Sequence, residues 1–294
     1  MANVTANGIQ IEYDTFGKRS QRPLLLVMGL GAQMIAWRNE FCEQLADAGH
    51  FVVRFDNRDV GLSSKFDAAG APDMAAVMSQ MLAGEPIKAP YTLDDMADDA
   101  FALLDTLDLP RAHVCGASMG GMIVQAMAIR RPQRVMSVTS IMSSTGNREL
   151  PPAKPEAAAA LVSAPGTDRA SVLERAARVA GIIGSPAYPA DPEELKARAI
   201  EAFERAFYPV GVARQMVAAA SHGNRKPALS TLEVPALVIH GRADPLVPVE
   251  GGIDTHEALR GSRLMVIDGM GHDLPRQVWP QIVAGIAELT SRVR

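Results

Sequence analysis

Short apolar segments alternate with amphipathic segments along most of this 294-residue chain. Residues 9–16 alternate between polar and apolar side chains, as a half-buried strand does, whereas residues 23–29 are continuously apolar and end in glycine, as a strand covered on both faces does. Amphipathic helices are predicted at about residues 37–48 and 92–108. The alternation of strands and helices predicts an α/β fold with a mostly parallel sheet and helices on both faces.

One long interruption divides this pattern. Further strands are predicted at residues 51–56, 112–118, 134–142, 234–241 and 263–269, and further helices at about residues 119–130, 253–260 and 275–294. Residues 145–231 contain no convincing strand; a Pro- and Ala-rich stretch leads into helical patterns at residues 169–181 and 192–221. We therefore predict a sheet-containing core of residues 1–144 and 232–294, with a helical cap of residues 145–231 inserted after one strand.

Composition narrows the class of protein. Hydrophobic residues make up 48% of the chain, and the formal net charge is −4 without a basic run, which argues against nucleic acid as a partner. No apolar run approaches the ~18 residues of a membrane span, and the amino-terminal segment lacks a signal-peptide pattern, so no membrane partner is expected. The two cysteines, Cys42 and Cys115, form no disulfide framework or metal pattern. We expect a cytoplasmic protein.

The strongest chemical signal is the segment from Gly116 to Gly120, which has the pattern G-x-S-x-G with Ser118 at its centre. It falls between a predicted strand and a predicted helix, the context in which this pattern forms a nucleophile elbow. A sharp strand-to-helix turn strains the serine backbone and brings neighbouring backbones close together, so flanking side chains would clash. The alternative is a glycine turn that only lets helix and strand pack. Cys115 is predicted to be a buried strand residue, not a rival nucleophile.

A serine nucleophile needs a base, and the base needs a carboxylate that orients it. Of the six histidines, His272 lies in a loop between a predicted strand and the last helix, where ligand chemistry is found in open α/β sheets. Asp244 follows the strand at residues 234–241, and the order Ser118, Asp244, His272 is the one expected after such an elbow. Asp273 is expected to be a surface turn or helix-cap residue.

The motifs together resemble the α/β-hydrolase fold family, specifically serine carboxylesterases with a helical cap. The resemblance rests on the segments LLLVMGLGAQMIAW, FDNRDVGLSS, GASMGG, HGRADPLVP and GMGHDLP and covers roughly residues 9–145 and 232–292. The sequence is similar to esterases of small molecules, including antibiotic methylesterases with the same Met-Gly pair at the start of the oxyanion loop. It implies a Ser118–His272–Asp244 catalytic triad that cleaves carboxylic esters through an acyl-enzyme intermediate.

An oxyanion hole is expected as well, because two fixed backbone N–H groups stabilise the negative oxygen of a tetrahedral intermediate. One donor should be Met119, directly after the nucleophile, and the other Leu30, in the loop after the strand at residues 23–29. Many members of the family carry His-Gly at the start of this loop, whereas this chain has Met28-Gly29. The change keeps the backbone donor but removes a histidine that usually braces the loop.

Charged turn residues and methionines complete the candidate set. Arg58 and Asp59 are interpreted as a structural ion pair or turn brace, since charged turn residues more often satisfy local backbone than bind substrate.

Nine methionines fall in segments expected to surround the site, namely Met28, Met34, Met74, Met78, Met81, Met119, Met142, Met216 and Met270. Because methionine adapts to irregular apolar ligands, we predict an apolar, tolerant acyl pocket lined by Met28, Gly29, Met142 and Met270. Ordinary core packing is the alternative for each methionine.

The predicted activity is hydrolysis of small, largely apolar esters, with a small-molecule ester as the partner. No cofactor and no metal are expected, because the chain lacks a dinucleotide fingerprint, a P-loop and metal-ligand spacing. The same triad also serves C–C bond hydrolysis, lactone hydrolysis or perhydrolysis, and fold alone does not choose among them. A non-enzymatic ligand-binding protein on this fold is a further alternative, and a homo-oligomer remains open.

Overall fold

The strand pattern corresponds to one eight-stranded sheet in the computed structural model, which describes residues 1–293. Within that range the strands are β1 (Ala2–Ala6), β2 (Ile9–Phe16), β3 (Arg22–Val27), β4 (His50–Phe55), β5 (Ala112–Ala117), β6 (Val135–Ile141), β7 (Ala236–Gly241) and β8 (Arg263–Ile267). Their order is β1-β2-β4-β3-β5-β6-β7-β8, with β1–β2 and β2–β4 antiparallel and every later pair parallel. The predicted mostly parallel sheet is confirmed.

Helices cover both faces of the sheet. Over the described residues they are α1 (Asn39–Asp47), α2 (Met74–Ala83), α3 (Leu93–Thr106), α4 (Met119–Arg130), α5 (Pro155–Val162), α6 (Arg169–Ile183), α7 (Pro192–Arg205), α8 (Pro209–Ser221), α9 (Lys226–Leu229), α10 (Val249–Ala258) and α11 (Trp279–Ser291). Helices α1 and α11 pack on one face, and α3, α4 and α10 on the other. No helix in residues 1–293 is both long and apolar enough to span a membrane.

Strand β3 shows why its sequence is continuously apolar. Its side chains point alternately into two separate cores: Leu25 and Val27 pack with α3 and α4, whereas Leu24 and Leu26 pack with α1 and α11. All four are 0–1% exposed. A strand with helices on both faces has no polar side, so its pattern cannot alternate.

Some elements differ from their predictions. The single helix predicted at residues 192–221 is two helices, α7 and α8, because Pro209 begins the second and Ala206 before it is extended. Strand β1 was not predicted, although Asn7 and Gly8 both have positive φ in the hairpin turn that joins it to β2. The last helix begins at Trp279, and residue 294 of that prediction lies outside the described residues.

Arg58 and Asp59 have the structural role that was predicted, but they do not pair with each other, because each side chain points to a different helix. The Arg58 guanidinium donates to both carboxylate oxygens of Asp99 on α3, at 2.6 and 2.7 Å. Asp59 accepts two hydrogen bonds of 2.8 Å from Arg214 on α8. The Asp59 and Arg214 side chains are 0% and 1% exposed. This buried ion pair fastens α8 to the turn after β4, and α8 is one of the inserted helices, α5–α9, that lie between β6 and β7 in the chain.

We expect Arg214→Met to destabilise the protein strongly. Removing one partner of a buried ion pair leaves the other charge unpaired, which costs roughly 3–5 kcal/mol. The free energy of unfolding, measured by urea denaturation at pH 7, should fall by that amount. Arg242→Met is the matched control, because Arg242 pairs with Asp268 at an exposed site where a salt bridge contributes about 0–1 kcal/mol.

The loss of stability in Arg214→Met should depend on pH. Burial raises the pKa of Asp59, but hydrogen bonds from Arg214, the Phe66 amide and Tyr91 outweigh it and lower the pKa below its ordinary value. A lowered carboxyl pKa contributes stability that is present above the unfolded value of ~3.9 and is lost as the pH falls through the folded value. The difference between wild type and Arg214→Met should therefore shrink in acid; a constant difference down to pH 2 would contradict this account.

Candidate active site

Ser118 occupies a strained turn between β5 and α4. Its backbone has φ 54° and ψ −120°, a conformation that non-glycine residues rarely adopt. The flanking glycines are required by close approach: a Cβ on Gly116 would lie 2.0 Å from the Gly120 carbonyl oxygen, and one on Gly120 would lie 2.1 Å from the Val27 carbonyl oxygen. The turn therefore projects the Ser118 hydroxyl from the carboxyl end of the sheet.

The structure brings Ser118, His272 and Asp244 into one hydrogen-bonded chain. His272 Nε2 lies 3.0 Å from Ser118 Oγ, and His272 Nδ1 lies 2.7 Å from Asp244 Oδ2. A carboxylate only accepts hydrogen bonds, so Nδ1 carries the proton and Nε2 is free to accept the hydroxyl proton of Ser118. This geometry is the one that a serine nucleophile, a base and an orienting acid require.

Asp244 is held by its own loop. Its Oδ1 accepts hydrogen bonds of 2.9 Å from the backbone amides of Leu246 and Val247, which leaves Oδ2 for His272. A second histidine, His240, places Nε2 3.6 Å from the same Oδ2 and hydrogen-bonds the Val247 carbonyl oxygen at 2.8 Å. No role was predicted for His240, because its position at the end of β7 does not reveal how closely it approaches Asp244.

The two predicted oxyanion donors lie in the loop after β3 and directly after Ser118. Across the described residues, neither Leu30 N–H nor Met119 N–H donates to a protein group. The loop that carries Leu30 approaches closely, since a Cβ on Gly29 would lie 3.1 Å from Ser118 Cβ and 3.6 Å from its Oγ. Met119 is the first residue of α4, so its N–H belongs to the positive end of the helix.

Two side chains brace residues 28–31, the predicted oxyanion loop. Asn57 Nδ2 donates to the Met28 carbonyl oxygen at 2.9 Å. Gln215 on α8 accepts a 2.9 Å hydrogen bond from the Gly31 amide and donates to the Arg58 carbonyl oxygen at 2.7 Å. Gln215 is fully buried. Neither brace carried a sequence signal, because both act through backbone atoms of distant residues.

Two cavities flank this loop and the His272 loop. The first, of about 1310 Å³, lies between α6, α7 and the His272 loop, and its lining includes His272, Asp273 and Tyr188. The second, of about 540 Å³, is lined mainly by apolar side chains from α2, α5, α6, α7 and α8 and reaches Gly31 of the oxyanion loop. Arg175 contributes to both linings.

The methionines predicted to line the pocket lie elsewhere. Met28, Met142 and Met270 are 0–6% exposed and pack in the hydrophobic core beneath the strand ends. Neither they nor Gly29 contribute to the two cavities, whereas Met74, Met78 and Met216, also singled out in the sequence, line the apolar cavity.

Two residues close in sequence to Ser118 and His272 are buried to different degrees. Cys115 is fully buried in β5, and burial raises the pKa of its thiol far above the ordinary range, so it is a poor nucleophile. Asp273 is not the surface residue that was predicted: it is half-buried and accepts a hydrogen bond from the Ser185 hydroxyl. Over residues 1–293 no group of three or more histidine, cysteine or acidic side chains is arranged for a metal ion.

Comparison with known proteins agrees with this fold. The family model described as alpha/beta hydrolase fold matches residues 22–275, and the chain belongs to that family. It is 28% identical to rhodomycin D methylesterase DauP of Streptomyces sp. (strain C5), over 98% of this chain and 97% of that protein. It is 27% identical to 3-oxoadipate enol-lactonase 2 of Acinetobacter baylyi, over 90% of this chain and 87% of that protein.

Solved structures share the fold across the whole chain. The meta-cleavage product hydrolase CumD of Pseudomonas fluorescens superposes with a TM-score of 0.78 at 19% identity, covering 99% of this chain and 98% of that one. The enol-lactonase of Burkholderia xenovorans superposes with a TM-score of 0.74 at 21% identity, covering 99% and 100%. At these identities the likeness concerns the fold alone.

The elbow glycines provide a direct test of this packing. Gly120→Ala introduces a Cβ that clashes with the Val27 backbone, so the free energy of unfolding should fall by roughly 1–3 kcal/mol or more, as overpacking does. Ser118 should also react more slowly with a fluorophosphonate, because α4 must shift. Gly181→Ala is the control: no atom lies within 4 Å of its Cβ position on α6, so stability should rise by about 0.5–1 kcal/mol. Equal effects of the two changes would contradict the clash.

Proposed function

We propose that this protein is a serine hydrolase that cleaves carboxylic esters of small, largely apolar molecules. The observation that carries the proposal is the continuous hydrogen-bonded chain from Ser118 Oγ through His272 to Asp244, with steps of 3.0 and 2.7 Å. The free amides of Leu30 and Met119 beside it support an oxyanion hole. Similarity to a methylesterase over nearly the whole chain supports the ester class.

Acylation begins when Ser118 Oγ attacks the ester carbonyl carbon while its proton passes to His272 Nε2. The carbonyl oxygen becomes negative and accepts hydrogen bonds from the Leu30 and Met119 amides, which stabilise it more than the neutral carbonyl. The bond to the alcohol oxygen then breaks, and that oxygen takes the proton from His272. Asp244 stabilises the imidazolium throughout. The alcohol leaves, and the acyl group remains on Ser118.

Deacylation repeats the sequence with water. His272 takes a proton from the water molecule, whose oxygen attacks the acyl carbon and forms a second tetrahedral intermediate in the same oxyanion hole. The bond to Ser118 Oγ breaks, and the serine recovers its proton from His272. The sum is ester plus water giving acid plus alcohol, with no cofactor or metal taking part in the proposed steps.

The two cavities suggest where the parts of the ester lie. The leaving alcohol must face His272, which protonates it, so we assign it to the larger cavity, whose lining includes His272. The acyl group then extends past the oxyanion loop into the apolar cavity of about 540 Å³. That volume falls within the usual range for small-molecule sites. The cap proposed at residues 145–231 supplies most of its walls.

Lactone hydrolysis is the second candidate. A lactone is a cyclic ester that the same triad opens by the same steps, and similarity to an enol-lactonase favours it. C–C bond hydrolysis and perhydrolysis also remain alternatives on this triad. The apolar cavity has Arg175 as the one charged residue in its lining, which offers little to a substrate with several carboxylates. A panel of p-nitrophenyl esters and lactones separates the first two reactions.

The cellular location and the partners of the protein form part of the same proposal. Both cysteines are free and buried, which supports the cytoplasm as its location. The site described above suits a small-molecule partner and gives no reason to invoke nucleic acid or a membrane. A homo-oligomer stays open.

Triad variants test the proposal. Ser118→Ala should lower kcat by about 10⁶-fold and abolish labelling by a fluorophosphonate, since the nucleophile is gone. Asp244→Asn should cost about 10⁴-fold, because the amide favours the wrong tautomer of His272. Ester hydrolysis and intact-mass labelling are the measurements, with Ser291→Ala as the control at an exposed serine. Full activity of Ser118→Ala would refute serine catalysis.

The acyl assignment predicts a chain-length effect. For p-nitrophenyl esters from acetate to hexanoate, kcat/KM should rise about fourfold for each CH₂ that is buried, which corresponds to ~0.8 kcal/mol. Met216→Trp fills the apolar cavity and should remove this rise while leaving acetate hydrolysis near the wild-type rate. Met81→Trp is the control, because Met81 is 38% exposed and does not line that cavity. A chain-length profile that Met216→Trp leaves unchanged would place the acyl group elsewhere.

A further inference from the structure

The segment between α6 and α7 is tied to the loop that carries His272. The His272 amide donates to the Ile183 carbonyl oxygen at 2.7 Å, and the Ala187 amide donates to the Gly269 carbonyl oxygen at 3.2 Å. Ile183 ends α6, so these bonds join the inserted helices to the backbone of the proposed base. The Asp244 carboxylate, by contrast, contacts the ring of His272 and not its backbone.

One side chain in this segment contacts both neighbours of His272. The Ser185 hydroxyl accepts a 2.9 Å hydrogen bond from the Gly271 amide and donates to Asp273 Oδ1. Ser185 is 4% exposed. A hydroxyl can donate one hydrogen bond and accept others, so both contacts are compatible and Ser185 spans the loop across His272.

Close packing leaves the loop little room to move. A Cβ on Gly271 would lie 2.4 Å from the Gly184 carbonyl oxygen, and a Cβ on Gly269 would lie 2.2 Å from Ala187 Cβ. Burial raises the pKa of Asp273, and the hydrogen bond from Ser185 acts in the opposite direction, so this hydroxyl is a principal partner of a half-buried carboxyl group. Without Ser185, both the Gly271 amide and Asp273 would lose that partner.

We propose that Ser185 is a positioning residue for His272: it fixes the backbone on both sides of the histidine and thereby keeps Nε2 within reach of Ser118. This inference rests on the proposed function of His272 as the base. It assigns the inserted helices a part in assembling the reacting groups, in addition to forming the walls of the cavities. A displacement of about 1 Å can cost up to 10²-fold in rate, so loss of this anchor should act on kcat.

The experiment measures p-nitrophenyl acetate hydrolysis by Ser185→Ala, with active sites titrated by a fluorophosphonate. We expect kcat per titrated site to fall about tenfold or more, with KM within about twofold of wild type, because Ser185 is 4% exposed and offers little surface to the larger cavity that it lines. Ser221→Ala is the matched control, since its hydroxyl only donates to Ala218 within α8, and it should keep wild-type kcat.

Variants at Asp273 separate positioning from charge. Asp273→Asn keeps an acceptor oxygen for Ser185, whereas Asp273→Ala removes one of the two hydrogen bonds, so kcat should be about threefold lower in Asp273→Ala than in Asp273→Asn. The double variant Ser185→Ala/Asp273→Ala should have the same kcat as Ser185→Ala alone, since both changes act through the Ser185 hydroxyl. If Ser185→Ala does not fold, the comparison of Asp273→Asn with Asp273→Ala decides. Equal kcat in those two variants would overturn the proposal.

A second readout does not depend on turnover. Hydrogen exchange of the Gly271 amide should be at least tenfold faster in Ser185→Ala than in wild type and unchanged in Ser221→Ala. Wild-type kcat and wild-type exchange in Ser185→Ala would overturn the role of Ser185 while leaving ester hydrolysis intact. Full activity of Ser118→Ala would refute the proposed function instead, so the two failures are distinguishable.

Discussion

The site depends on the strained backbone of Ser118. A non-glycine residue at φ 54° and ψ −120° costs on the order of 1–3 kcal/mol and persists only where its surroundings enforce it. Here the Ser118 amide donates to the Ile141 carbonyl oxygen at 2.9 Å, and the Ser118 carbonyl oxygen accepts from the Gly121 and Met122 amides. The turn is therefore held by β6 on one side and by the first turn of α4 on the other. This arrangement sets the direction of Oγ and also leaves the Met119 amide free.

The inserted helices are joined to the core by polar contacts at buried positions. Asp59 pairs with Arg214, and Asp56 pairs with Arg205 at 2.6 Å while accepting from the Met34 amide at 2.7 Å. Buried charges are costly unless they are paired and hydrogen-bonded, so such contacts favour one docked arrangement over sliding. An apolar interface alone would cover the cavities without fixing where their walls lie. Charge pairing thus complements the apolar lining in defining a site of fixed shape.

The parts of the fold and site that were predictable have local signals. The strands of the core and the residues Ser118, Asp244 and His272 were recognised from runs of apolar residues and from short motifs at strand ends. The bonds that connect the insertion to the core link residues far apart in sequence: 155 positions separate Asp59 from Arg214, and 184 separate Gly31 from Gln215. No periodicity marks such partners, so a structural role for Arg58 and Asp59 could be predicted, but their partners Asp99 and Arg214 could not. The break between α7 and α8 had a usable signal in Pro209.

Two histidines lie near Asp244, and their contacts explain why His272, and not His240, is proposed as the base. Both lie within 4 Å of Oδ2, at 2.7 Å for His272 and 3.6 Å for His240. His240 is 0% exposed, its Nε2 is committed to the Val247 carbonyl oxygen, and burial lowers its pKa, so it stays neutral beneath the carboxylate. His272 keeps one nitrogen on Asp244 and the other on Ser118. Access of the second nitrogen to Ser118, and not proximity to Asp244, therefore makes His272 the proposed proton carrier.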